Sequence, residues 1–192
     1  MDPDDIFIPE RVLAARLGFK GIGEIPEEFR ATFKRAMSMA REVASPLAIY
    51  EDFQVETLEN CVIVDGKVLT GKSVEENLMG SGEISLILAT LGSDVDEEIT
   101  RLHEIGEDLL SFFLDGIASE MVEYFVRSLD SVLREEHRSG GPRISPGYGD
   151  LPLSLNSWII EELGGYEYGI RYYPETFFMI PRKTISAMVG WK

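Results

Sequence analysis

The sequence predicts an α+β fold: one domain with a mainly antiparallel, twisted sheet and several helices, including a long one near 108–137. Three observations carry this. Helix-period and strand-period segments alternate along the chain without an internal repeat or a long linker. Strand signals lie near both ends, with helices between, rather than recurring as βαβ units. Asp65-Gly66 sits between the apolar runs CVIV and KVLT, a two-residue type I′ signal for an antiparallel hairpin.

Taken in order, Pro26 suits a first helical turn, Glu27 and Glu28 favour the positive end of a helix, and Phe29, Phe33, Ala36, Met37 and Ala40 recur at helical spacing. That helix must end before Pro46. Residues 47–58 alternate loosely and read as a strand, followed by the hairpin. Ser73 and Glu76 have capping-box spacing and open a short helix to about Met79. GEISLILATLGS, 82–93, is an apolar run of strand length bounded by glycines, suited to a central strand.

Two helices follow, from Val95 to about Ile105 and from Leu109 through Phe112, Phe113, Ile117, Met121 and Phe125 to the charged REEHRSGG, with Gly106 and Gly116 as candidate breaks. Ser154 is placed to cap a short helix bearing Trp158, Ile159 and Leu163, with Gly164 ending it. YGIRYY, 168–173, alternates as a strand. FFMIP and TISAMVGW read as a final strand pair broken at Pro181.

Composition narrows function. A chain of 192 residues with 44% hydrophobic and 27% charged residues is expected to bury a full core without staples. Thirty-four acidic against eighteen basic residues give a formal charge of −16, which repels phosphate backbones and anionic lipid, so neither nucleic acid nor membrane is an expected partner. The acidic opening MDPDDIFIPE is unlike a secretory signal, and the run ISLILATL is too short to span a bilayer. The single Cys61 forms no internal disulfide. A cytoplasmic location is expected.

Catalytic constellations are scarce. One cysteine and two histidines cannot build a Cys/His zinc set. His103 and Glu107, four apart, read as a solvated helix face, and His137 as a partner for the carbonyl end of its own helix. Gly18, Gly21 and Gly23 follow no strand, and neither a phosphate loop nor a GxSxG elbow occurs. No catalytic or metal-binding residue is assigned.

One segment does look built for a small polar ligand: RISPGYGDLPLS, 143–154. Arg143 offers a rigid fork of donors matched to a carboxylate. Gly147 and Gly149 permit close backbone approach. Tyr148 has a flat face with a polar tip.

This segment, with MIPRKTISAMVGW at 179–191, resembles the activation domain of cobalamin-dependent methionine synthase, the module that binds S-adenosylmethionine. ATLGSDVDEEITRL (89–102) and LDGIASEMVEYF (114–125) are similar to parts of stand-alone corrinoid activation proteins; the first eighty residues match only loosely. The resemblance implies that Arg143 binds the methionine carboxylate of S-adenosylmethionine. Backbone at Ser145 and Gly147 would meet the adenine or ribose, and Tyr148 would sit where the donor faces the corrin. Glu120 and Glu123 are alternative positions for an acidic contact on the long helix.

It further implies a division of labour. Oxidised cob(II)alamin on a separate methionine synthase chain is reduced by an electron donor such as a flavodoxin or ferredoxin, and methyl transfer from S-adenosylmethionine traps the reduced form. The Asp-x-His-x-x-Gly cobalt-ligating signature does not occur here, so the corrin is expected on the partner. The chain departs from the family at Ser145, where the family has Ala, and at Asp150-Leu151-Pro152, where it has Cys-Pro-Asp. Asp52 and Asp65 take no assignment. The alternatives are a reactivation accessory for another corrinoid methyltransferase, a non-catalytic S-adenosylmethionine-binding or assembly module, and an independent small-molecule methyltransferase.

Overall fold

A computed structural model describes residues 2–137 and 139–192. The helices are α1 (Glu10–Arg16), α2 (Glu27–Val43), α3 (Lys72–Asn77), α4 (Asp94–Glu104), α5 (Asp108–His137) and α6 (Leu155–Glu162). The strands are β1 (Leu47–Leu58), β2 (Cys61–Val64), β3 (Lys67–Leu69), β4 (Glu83–Thr90), β5 (Arg171–Tyr172), β6 (Met179–Ile180) and β7 (Thr184–Trp191). A five-stranded sheet has the order β3-β2-β1-β4-β7, and β5 pairs with β6 apart from it. The architecture is α+β with an antiparallel sheet, as the strand signals require.

The hairpin forms as expected, with Val64 opposite Lys67 and positive φ at Asp65 (43°) and Gly66 (77°), the pair of left-handed residues that a type I′ turn demands. β4 runs antiparallel to both neighbours. Ser45 N–H meets the Leu91 carbonyl while Val55 N–H meets Gly82, and Leu91 N–H meets Lys183 while Gly82 N–H meets Trp191. Its apolar run reflects cover on both sides.

The chain packs as two compact units. One comprises Met1–Leu47, Thr90–Ser128 and Pro181–Lys183. Here α2 buries Phe33, Ala36 and Ala40, and α4 buries Val95, Ile99 and Leu102, both at helical spacing. Phe33 meets Phe113 of α5 edge-on, ring centroids 6.1 Å apart. Gly116 does not break α5: a Cβ there would lie 2.6 Å from Leu17 Cδ2, so its role is close packing inside a continuous helix. Phe112, read as part of the apolar stripe, is instead exposed.

The other unit comprises Ala48–Ala89, Leu129–Ile180 and Thr184–Lys192. One face of its sheet, with Val62, Val64, Ile84, Leu86, Leu88 and Met188, packs on Leu155, Trp158 and Ile159 of α6. The opposite face, with Ile87, Ala187, Val189 and Trp191, packs on Leu129 and Leu133 of α5. Strand alternation divides β4 between these two cores.

Three expectations about local structure are corrected. FFMIP and TISAMVGW do not pair with each other: β6 pairs with β5, Arg171 opposite Ile180, while β7 pairs with β4. Within YGIRYY only Arg171–Tyr172 is strand, because Gly165–Tyr168 closes a 3-10 turn between left-handed Gly164 and Gly169. Ser154 precedes α6 but its hydroxyl makes no capping bond; its backbone is already helical.

Candidate functional site

The site builds outward from β7. Residues 139–144 run antiparallel along that strand: Lys192 N–H reaches Ser139, Gly141 N–H reaches Gly190, and Ile144 and Met188 exchange two bonds of 3.0 and 2.8 Å. Ile144 packs on the α6-side core. Alternation then turns Arg143 and Ser145 to the other side of the segment. Both are half-buried, and the Arg143 Nη1 atom is shut off from solvent.

The chain next turns sharply. Pro146 is buried, Gly147 has φ +88°, and Tyr148 N–H returns to the Ser145 carbonyl at 3.2 Å, the arrangement a Pro-Gly type II turn uses. Gly147 N–H donates to Leu151 at 2.9 Å, and Leu151 N–H to Tyr148 at 3.1 Å. The Ser145 carbonyl and Gly147 amide therefore serve the turn. Tyr148, 72% exposed, stands on a tip whose backbone is fastened on both sides.

Asp150 fastens it further. Its carboxylate accepts from the backbone N–H of Lys72 at 2.5 Å and of Ser73 at 3.0 Å, capping α3 from a distant part of the chain. This corrects the capping-box expectation, since α3 begins after Gly71 without a cap from its own side chains. The Ser73 hydroxyl and amide, with the Lys72 amide, hold the Asp150 carboxyl below its usual range. Contact is close enough that a Cβ on Gly71 would fall 2.6 Å from Asp150 Oδ2, and one on Gly149 2.6 Å from Ser73 Oγ.

The structure thus gathers Arg143, Ser145, Gly147 and Tyr148 on one pinned loop of the sheet-bearing unit. Glu120 and Glu123 lie on α5 in the helical unit, both half-buried, with Glu120 3.8 Å from Arg16. The second motif contributes anchoring: Arg182 bonds Asp96 through its backbone N–H at 2.6 Å, and the buried Lys183 ammonium reaches Asp115 at 2.8 Å and Ser119 at 2.9 Å. Sequence reading missed Asp150. Aspartate is a favoured cap, but its helix lies 78 positions away.

His103 and Glu107 do not share a helix face, because α4 ends at Glu104; His103 Nδ1 lies 2.6 Å from Asp108 and Glu107 pairs with Arg35. Among the described residues no helix is long and apolar enough to cross a membrane.

No protein-family model matches the sequence, and no curated protein matches it. Among solved structures, the chain matches the crystal structure of the MetH reactivation domain bound to AdoHcy with a TM-score of 0.72 at 15% identity. The match covers 98% of this chain and 75% of that one. The chain has the fold of that domain.

Proposed function

We propose that the chain binds S-adenosylmethionine on the 143–148 loop and supplies its methyl group to a cobalamin carried by a separate methionine synthase chain, so returning an oxidised cofactor to use. The observation that carries this reading is the fold match over 98% of the chain to a reactivation domain holding AdoHcy, the demethylated form of the donor. The motifs at 143–154 and 179–191 resemble segments of the same family.

Arg143 would take the donor's carboxylate with its planar fork, as one half-buried guanidinium can with two parallel bonds. The Ser145 carbonyl and Gly147 amide are engaged within the turn, so the Ser145 amide and the Gly147 carbonyl are the backbone groups to meet the adenosine. Gly147 and Gly149 supply the positive φ that the turn needs, and the space a side chain would take is filled by Leu153 and Ser73. Tyr148 would face the acceptor. Glu120 and Glu123 belong to the other unit and take no role in this proposal.

Given one electron from another protein, the partner's cobalamin would accept the methyl group and leave AdoHcy behind, and this chain would supply proximity. A pinned loop fits such a task, because a donor held in one orientation needs no ordering at the moment of transfer. Cobalamin and a reductant such as a flavodoxin or ferredoxin would come from other proteins. The free thiol Cys61 fits the reducing cytoplasm in which such chemistry runs.

The test is a reconstitution. The chain, S-adenosylmethionine, a reductant and the cob(II)alamin form of a methionine synthase are mixed, and methylcobalamin is followed by its absorbance. The chain should accelerate its appearance, and Arg143→Ala should slow it. An unchanged rate with and without the chain rejects the reading.

A further inference from the structure

Away from the loop, three elements of the sheet-bearing unit bring donor atoms to one point. Asp52 comes from β1, Glu83 from the start of β4 and His137 from the last turn of α5. Within the trio His137 Nε2 lies 3.2 Å from Asp52 Oδ2, and Nδ1 lies 3.5 Å from Glu83 Oε2. One donor atom from each residue lies within 4.8 Å of the others. His137 therefore does not turn to the carbonyls of its own helix as its position suggested.

Each carboxylate is held by one oxygen and offers the other. Asp52 Oδ1 accepts from the Ser85 hydroxyl, which is itself fixed by the Trp191 indole N–H at 2.6 Å, and Ser85 is fully buried. Glu83 Oε1 accepts from the Gln54 amide at 2.9 Å. The imidazole lies flat on Trp191, centroids 4.4 Å apart and planes 6° apart, a contact that favours this ring orientation. The neighbouring cation, Arg134, is tied to Asp130 at 3.0 Å and to the Gly141 carbonyl at 2.9 Å.

We propose that Asp52, Glu83 and His137 form a site for a first-row divalent metal ion of the zinc class. His137 meets the two carboxylates with different ring nitrogens, so an ion would take one of those nitrogens. The three donor atoms, within 4.8 Å of one another, would draw in to the spacing of about 3.4 Å that metal–ligand distances of about 2.0–2.2 Å set in tetrahedral geometry. Two carboxylates and a neutral imidazole suit an ion that takes mixed nitrogen and oxygen ligands. They carry two negative charges, which a dication neutralises. The Trp191–Ser85–Asp52 chain and the Gln54–Glu83 bond are outer partners of the kind that aim metal ligands. The ion would tie the end of α5 to β1 and β4, with one coordination position left for water.

The test uses the full chain stripped with a chelator and titrated with Zn²⁺ by calorimetry. One equivalent is expected to bind, and Asp52→Asn, Glu83→Gln and His137→Gln should each weaken it at least ten-fold. Ser85→Ala, which touches only the outer partner, should weaken it about ten-fold. Trp158→Phe leaves Trp191 as the only indole; on that background Co²⁺ should quench its fluorescence, and Glu83→Gln should abolish the quenching. If His137→Gln does not fold, the Glu83 and Ser85 variants decide. Absence of saturable Zn²⁺ binding overturns the proposal, as does binding that none of the variants alters.

Discussion

Gly147→Ala tests whether the ligand loop is pinned as described. Gly147 sits at φ +88°, where an L side chain costs about 1–2 kcal/mol. The added Cβ would lie 2.8 Å from Leu153 Cδ2, so that leucine must leave its rotamer at about 0.5–1.5 kcal/mol. Restriction of the unfolded chain by Ala works the other way by about 0.4–1 kcal/mol. The net loss is about 2 kcal/mol, a fall in Tm of about 4–8 °C for a chain of this length.

Calorimetric melting measures it, with Gly23→Ala as the reference because Gly23 has open space around its Cβ position and no positive φ. The reference should melt within about a degree or two of wild type, consistent with a surface change of at most about 0.5 kcal/mol. A second readout is S-adenosylmethionine affinity, which should fall in Gly147→Ala because Tyr148 follows the turn. If Gly147→Ala melts and binds as wild type does, the turn is not the strained, fastened element argued for here.

Other perturbations follow from the same geometry. Asp150→Asn removes the charged cap of α3; because the fold depresses this carboxyl below its ordinary 3.8, its contribution is full above that pH and lost as pH falls through the folded value. The melting gap between wild type and variant should therefore be wide at pH 7 and close as pH falls below the carboxyl's ordinary range. Glu162 runs the opposite way: burial and then Asp65 raise its carboxyl above its ordinary 4.5, so any stability tied to its protonated form is present below that pH and lost as pH rises. Glu162→Gln should melt higher than wild type at pH 7–8 and equal to it near pH 3–4. Asp115→Ala leaves the buried Lys183 ammonium short of its carboxylate partner and should lower stability by about 1.5–3 kcal/mol in urea unfolding, more than Lys183→Met, which removes the charge that needs a partner.

Local chemistry made much of the fold legible. Asp65-Gly66 dictates its turn without outside help, α2 and α4 carry their apolar stripes in their own residues, and the largely apolar run of β4 suits a strand covered on both faces. What eluded the sequence depends on distant partners. Ser73 has the spacing to cap α3, but Asp150 takes the post from another loop. Gly116 looks like a helix breaker until Leu17 is seen to fill the space a side chain would need. β7 follows β6 closely along the chain, yet it pairs with β4, whose backbone groups at Gly82 and Leu91 receive it.

The 143–148 turn was readable because Pro146 and Gly147 stand side by side and dictate its backbone geometry. The trio of Asp52, Glu83 and His137 was not, since no motif joins residues of β1, β4 and α5. Only the sheet order brings them together.

The central claim is that this loop binds S-adenosylmethionine through Arg143. Isothermal titration of the ligand into wild type and Arg143→Ala tests it: wild type should saturate at one site, and the variant should bind about ten-fold to more than a hundred-fold more weakly, the loss of a charge-assisted contact worth about 1.5–3 kcal/mol. Failure of the wild type to bind, or an Arg143→Ala protein that binds equally well, would contradict it.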